Sequence, residues 1–327
     1  MHPSPAVCTD LLKIDAAAET ERIVEAVQET VFARFKRKGV VLGVSGGVDS
    51  SVVAALCARA LGKERVFALI MPEADSSSDS AILGQELVEK LGIRSATETI
   101  TGILESAGCY RRRDEAIREV FPDYNSECRA KIVLPNLLEQ DRLPVFSIVA
   151  QWPDGTAKKA RLKIEHYLQI VSATNFKQRV RKMLEYYYAD RLNFAVAGTP
   201  NRLEHDLGFF VKNGDGSADL EPIAHLYKSQ VYQLAAYLDI PMGIQLRPST
   251  TDTYSLAQSQ EEFYFSMPLA TMDICLFGKD HGIPPSDLAT RAGLSPEQVK
   301  RAYASIDSKK KASEYLLSPP VLMAPVS

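Results

Sequence analysis

The 327-residue sequence predicts a doubly wound, parallel α/β sheet interrupted by one inserted segment. Three observations lead there. Short apolar runs such as VVLGV at 40–44 and RVFALIM at 65–71 alternate with longer segments of helical period. The connections between these runs are too long for hairpins, which makes the strands parallel. A polar turn rich in glycine and serine, SGGVDSS at 45–51, joins the first run to the helix after it.

Each element follows from its own pattern. Residues 17–37 form an amphipathic helix, with Ile23, Val24, Val27, Val31 and Phe35 on one face. The strand at 40–44 is short and buried, and the helix after the turn runs to about Leu61. Pro72 stops the second strand, 65–71, and a serine-rich loop fills 73–80. A helix over 81–91 ends at Gly92, and 95–100 is a third strand. Residues 176–192 are helical, 194–197 form a fourth strand entering Gly198-Thr199, and 227–238 are helical again.

Two regions break the alternation. Residues 109–173 carry a basic run, Arg111 to Arg113, an apolar segment LPVFSIVAQW and the turn signal Pro153-Asp154-Gly155. A hairpin hinged at that turn is the simplest reading, and it would serve as a lid or a dimer contact. Beyond Ser305, Lys309 to Lys311 and Ser318-Pro319-Pro320 read as a mobile end.

Composition narrows the class. Apolar residues make up 46% and charged residues 24%, and the net charge of −3 points to neither a nucleic-acid nor a membrane partner. No run is long and apolar enough to span a bilayer, and residues 1–10 lack the pattern of a secretion signal. The five cysteines, Cys8, Cys57, Cys109, Cys128 and Cys275, show no CxxC pair and read as free thiols. A cytoplasmic protein is expected.

The chemistry lies in the turn at 45–51. A glycine-rich connection from a strand end to a helix N-terminus presents backbone N–H groups where the helix dipole favours an anion. Gly46 and Gly47 admit phosphate oxygens closely, while Ser45, Ser50 and Ser51 add hydroxyl donors. Asp49 would repel a phosphate unless a divalent cation stood between them. The turn therefore asks for a metal–polyphosphate. It lacks the lysine of a Walker loop and the spacing of a dinucleotide fingerprint. The plainer alternative is a serine-capped helix after a glycine turn.

The SGGxDS loop after the first strand resembles the pyrophosphate loop of the N-type ATP pyrophosphatases, whose fold is adenine nucleotide alpha hydrolase-like. Downstream, residues 175–241 resemble the core of the NAD synthases within that superfamily. The matching pieces are Asn175-x-x-x-Arg179-x-Arg181, Gly198-Thr199, Glu204, Phe209-Phe210-x-Lys212-x-Gly214-Asp215-Gly216, Asp219, Pro222 and Leu226-x-Lys228. The resemblance covers about three quarters of the chain, and its KxGDG segment is specific. It implies one NAD-synthase-like domain over 1–327 with an insertion at about 109–173. The reaction it implies is an ATP-dependent amidation of deamido-NAD by ammonia, which releases AMP and pyrophosphate. Asp49 and Glu204 would hold magnesium. Ser45, Gly46, Gly47, Asp49, Ser50, Ser51, Met71, Thr199, Lys212 and Ser249 would bind ATP. Asn175, Arg179, Phe209 and Asp219 would bind the acyl substrate, and Lys228 and Asp215 would be catalytic. A homodimer is implied, with ammonia taken free or from a separate glutaminase.

The residues carry weight of their own. Lysines such as Lys212 and Lys228 suit charge developing on a pentavalent α-phosphorus, although lysines are usually solvated. Asp215 and Asp219 flank Gly216, where they would meet ribose hydroxyls or ammonium, or simply form a turn. Departures from the family pattern cluster near the acyl end. Pro200 follows Gly198-Thr199, the 248–253 segment is one residue longer, Val171 stands where an aromatic is common, and the tail motif is Ser308-Lys309-Lys310-Lys311. The insertion exceeds ordinary loop lengths. Besides a NAD synthase, the sequence therefore admits a related amide ligase for another carboxylic acid, or a nucleotide-binding protein without catalysis.

Overall fold

The computed structural model describes residues 10–138 and 145–324. Helix α1 (Ala16–Gln28) runs through a π-helical turn, Glu29–Arg34, towards β1 (Val40–Gly43). Then come α2 (Val48–Leu61), β2 (Val66–Ile70), α3 (Ser78–Leu91), β3 (Arg94–Thr97) and α4 (Thr101–Ser106). Helix α5 (Cys109–Val120) leads into β4 (Arg129–Val133), β5 (Ser147–Gln151) and β6 (Ala157–Arg161). The long α6 (Ile164–Leu192) returns the chain to β7 (Ala195–Val196), followed by α7 (Arg202–Leu207), α8 (Lys228–Tyr237) and α9 (Met242–Gln245). A second π-helical turn, Glu261–Phe265, precedes α10 (Leu269–Asp280), α11 (Pro285–Ala292) and α12 (Pro296–Leu317).

The main sheet has the order β3-β2-β1-β7 with every pair parallel. Strand alternation divides its side chains between two layers. Val40, Leu42 and Val44 pack with α1, α2 and α8, whereas Val41, Phe67, Leu69 and Val196 pack with Leu104 of α4 and Tyr188 and Ala189 of α6. Both faces are covered, which is why β1 and β2 read as unbroken apolar runs. The doubly wound parallel sheet is therefore present, and its C-terminal strand ends form the upper edge of the functional cleft described below.

The inserted region forms an antiparallel sheet of order β4-β5-β6. The hairpin turns at Pro153-Asp154-Gly155 as expected: Trp152 N donates to Thr156 O at 2.8 Å, and Gly155 takes a φ of +85°. Alternate residues Ala130, Ile132, Ile148 and Ala150 pack on Ile117 of α5 and Ile170 of α6 in a small core of their own. Two features differ from the sequence reading. Strand β4 lies outside the sequence reading, although Arg129 and Lys131 do alternate with buried Ala130 and Ile132; the alternation spans only five residues. Helix α6 begins at Ile164 and not at 176, since Ile170 and Ala173 supply a helical stripe that the neighbouring hairpin residues obscured.

Residues 306–317, with Lys309 to Lys311, are not a mobile end. They continue α12 to Leu317, with Ile306 fully buried, Ser313 Oγ donating to Asp206 O at 3.0 Å and Lys310 paired with Asp280 at 2.6 Å. Cys57, Cys109, Cys128 and Cys275 are buried and not joined in disulfides. Cys8 and the reading of residues 1–9 lie outside the described residues. Among those residues, no helix is long and apolar enough to cross a membrane.

Candidate active site

A cleft of about 510 Å³ opens over the C-terminal ends of β1 and β2. Such strand ends are where open parallel sheets bind ligands. Its first wall is the turn between β1 and α2. Gly46 has a φ of +71°, and a Cβ there would come within 2.5 Å of Ser80 O, so only glycine fits. Gly47 is the N-cap residue of α2. Ser45 Oγ accepts from Gly47 N and meets Ser50 Oγ at 3.2 Å, closing the turn on itself. Ser45, Gly47, Asp49 and Ser50 line the cleft. Gly46 shapes the turn from behind. Ser51, expected as a phosphate donor, is buried and gives its hydroxyl to Gly47 O at 2.8 Å, within the first turn of α2.

Asp49 is the hub of a charged cluster. Its Oδ1 accepts from Asn201 Nδ2 at 3.0 Å and its Oδ2 from Lys228 Nζ. Lys228 opens α8 and is only 3% exposed. Asp273 of α10 fixes that helix start by accepting from Lys228 N at 3.1 Å and Ser229 N at 2.7 Å. Glu204 lies in the first turn of α7, locked by a capping box with Asn201 and by Gln260 Nε2 at 3.0 Å from its Oε1. Asn201 thus couples Asp49 to Glu204.

The electrostatics follow from this crowding. Burial, with the charge of Asp49 added, pushes Glu204 up to about 8, against the opposing pull of Lys228. Burial alone would lower Lys228, but Asp49 and Glu204 outweigh it and raise its affinity for a proton. Two carboxylates around one ammonium leave room for further positive charge. Among the described residues no group of three or more His, Cys, Asp or Glu forms a complete metal cage. The donor set still fits magnesium, which takes one or two carboxylates and completes its shell with phosphate oxygens and water.

The other expected residues divide. Met71, Thr199, Ser249, Asn175, Phe209 and Asp215 all line the cleft. Asp215 accepts from Val211 N at 2.7 Å, and its burial raises its pKa. Three do not line it. Lys212 caps the end of α12, donating to Tyr315 O at 2.7 Å and Ser318 O at 3.0 Å. Arg179 Nε reaches Lys212 O at 3.3 Å on the surface. Asp219 spends its carboxylate on Val196 N at 2.7 Å, bracing β7. In each case a nearer polar group satisfies the side chain.

Several lining residues escaped the sequence reading. Arg247 donates to Ser80 Oγ at 2.7 Å beside the phosphate turn. Tyr167, Tyr254, Phe263 and Tyr264 join Phe209 in an aromatic box, with Phe209 and Tyr264 ring centroids 5.0 Å apart. Gln178, Lys182 and Glu185 line the cleft from α6, beside Arg181 of the Asn175 motif. Their three- and four-residue spacing was the available signal. The hairpin tip at 153–155 is exposed and does not line the cleft, but Tyr167 and Val171 of the same inserted segment do, and the antiparallel sheet packs against them and against Tyr254 and Phe263.

Comparison with known proteins agrees with this geometry. The family model described as NAD synthase matches residues 19–138 and 130–320. The NH(3)-dependent NAD(+) synthetase of Mesorhizobium japonicum is 53% identical over 312 residues, covering 95% of this chain and 98% of its own. That of Rhizobium rhizogenes is 51% identical with full coverage of both, and that of Thermotoga maritima 34% identical over 89% of this chain and 95% of its own. In fold, the chain is similar to the NMN synthetase of Francisella tularensis at a TM-score of 0.65 and 22% identity, covering 95% of this chain and 99% of that one. The NH3-dependent NAD synthetase of Campylobacter jejuni gives 0.61 at 24% identity, with 95% and 100% covered. With a parallel sheet, a glycine- and serine-rich turn carrying Asp49 after its first strand, and full-length relatives above half identity, the chain belongs to the NAD synthase family.

Proposed function

We infer that this chain is an ATP-dependent amide ligase that converts deamido-NAD and ammonia to NAD. The observation that carries the reading is the meeting of Asp49, Lys228 and Glu204 at one end of the cleft, beside the phosphate turn. An ammonium and free backbone N–H groups at a helix N-terminus suit a polyphosphate, and the aromatic box suits a pyridine carboxylic acid.

The chemistry balances in two steps. A carboxylate oxygen of deamido-NAD attacks the α-phosphorus of ATP, the bond to the bridging oxygen breaks, and pyrophosphate leaves with its electron pair. Ammonia then attacks the acyl carbon, AMP departs, and the surplus proton passes to a base. Lys228 holds positive charge where the pentavalent phosphorus and the leaving group gather negative charge. Ser45, Gly47 and Ser50 orient the phosphates, Met71 and Thr199 border the nucleotide, and Ser249 faces the same anion. Asn175 and Phe209 border the acyl substrate, and Asp215, buried near them, orients the incoming nucleophile. Asp49 and Glu204 are the residues that would hold magnesium, which supplies Lewis-acid neutralisation of phosphate charge when bound.

Three further assignments belong to this reading. The protein acts as a homodimer, with half-exposed Met183 and Tyr187 giving α6 an apolar outer face. Ammonia enters free or from a separate glutaminase. ATP dependence and four buried cysteines not joined in disulfides support a cytoplasmic site of action. Incubation with ATP, magnesium, ammonium and deamido-NAD should yield NAD, AMP and pyrophosphate in equal amounts. Formation of ADP in place of AMP would refute the reading.

A further inference from the structure

The reaction described above uses two parts of the cleft, the phosphate turn and the aromatic box. A third part is built differently. Lys182 and Glu185 stand one turn apart on α6, both more than nine-tenths buried and both lining the cleft. Lys182 Nζ donates to Glu185 Oε2 at 2.7 Å. Glu185 Oε1 accepts no hydrogen bond from the described residues and stands directly under the end of β1. A Cβ on Gly43 would come within 2.9 Å of that oxygen and 3.3 Å of Met71 Cε. Glycine at 43 is what lets a buried carboxylate approach the strand end.

An ion pair of this kind is a poor device for stability, because desolvation takes back most of what the attraction returns. Its placement suits a ligand better. The phosphate turn fixes one end of ATP, and the aromatic box is occupied by the acid to be activated. The nucleoside then lies over the remaining lined surface, where Gly43, Met71 and Glu185 meet. A ribose offers two adjacent hydroxyl donors, and a carboxylate with an open oxygen is their natural acceptor.

We propose that Glu185 is the ribose-recognition residue for ATP, with Lys182 positioning its carboxylate through the buried ion pair. The proposal rests on ATP being the co-substrate, as inferred above. Lys182 occupies Oε2 and leaves Oε1 for the sugar, so the pair works as one unit. It also sets specificity, since a site that must hydrogen-bond a hydroxyl disfavours an analogue lacking it.

Calorimetric titration of the full chain with ATP, 2′-deoxy-ATP and 3′-deoxy-ATP, in magnesium buffer without deamido-NAD, tests this directly. The wild type should bind ATP at least about tenfold more tightly than one or both deoxy analogues. In K182M/E185L, where apolar side chains of similar volume replace the pair, the three affinities should converge to within about twofold. A thermal melt checks that this variant folds; should it not, E185Q keeps the shape and should reduce the wild-type preference at least about threefold. Equal wild-type affinities for all three nucleotides would overturn the proposal, as would an unchanged preference in the folded variant. ATP binding needs no amidation, so a normal ribose preference without NAD formation would count against the reaction and leave the ribose contact standing.

Discussion

The two ends of the cleft are made in opposite ways. At the phosphate end, a seven-residue turn, one helix N-terminus and three charged side chains from α2, α7 and α8 form a closed polar network. Every member is held by a second hydrogen bond, so its geometry is set before a ligand arrives. At the aromatic end, rings from α6, the 254 segment and the second π-helical turn pack by area, with no comparable network. Directional groups fix where charge moves; packed rings fix which acid is admitted. The first kind of site fails abruptly when altered and the second by degrees.

Removing the hub should break the phosphate end most severely. Asp49→Asn should reduce AMP formation by about two orders of magnitude or more, read from steady-state turnover at saturating ATP and magnesium. Glu204→Gln should fall in the same range. Retention of even a third of wild-type turnover by both would remove the contrast between the two ends. Lys228→Ala sharpens the same point. Its kcat should drop at least about thirtyfold while KM for ATP stays within about threefold, because the ammonium acts on charge that develops after binding.

The aromatic end should respond more gently. Tyr167 stacks on Phe146 with centroids 4.0 Å apart and borders the cleft. Tyr167→Ala should raise KM for deamido-NAD about three- to tenfold, in line with the loss of one aromatic contact, and leave KM for ATP alone. Equal increases in both constants would show that the box and the nucleotide site are not separable. The smallest effect is expected at the hairpin tip. Shortening 153–155 should change both KM values less than about twofold, since the tip is exposed and lies outside the cluster through which the sheet supports the cleft-lining rings.

Legibility in the sequence follows the same division. The parallel sheet was readable because β1 and β2 are buried on both faces, which leaves a continuous apolar signature. The turn at 45–51 was readable because its chemistry is contiguous. Asp49 was readable in the turn itself, whereas Glu204 and Lys228 came from the resemblance, and the structure brings the three together. Lys212, Arg179 and Asp219 show the limit. They match the motif, yet partners distant in sequence, such as Tyr315 O for Lys212 and Val196 N for Asp219, set their orientation. The aromatic box left no local trace, because Tyr167, Tyr254 and Phe263 lie on three separate segments. The first half of α6 was hidden for a different reason. Its apolar stripe begins immediately after a hairpin of period two, and the two periods overlap.

Helix α6 spans 29 residues without interruption, from the edge of the antiparallel sheet to β7. It carries Tyr167 of the aromatic box near one end and Glu185 of the polar floor near the other. Along an ideal helix those two positions are about 27 Å apart, and each added residue turns everything beyond it by about 100°. The helix is therefore a ruler with a fixed phase. Substitutions along it exchange one side chain at a time, but a single inserted or deleted residue between 171 and 178 would swing one set of ligand contacts off the cleft while the other stayed. Length variation in this chain should accordingly be tolerated at the exposed tip around Gly155 and forbidden along this rod, which makes α6 the element whose length, more than its composition, defines what the protein can hold at once.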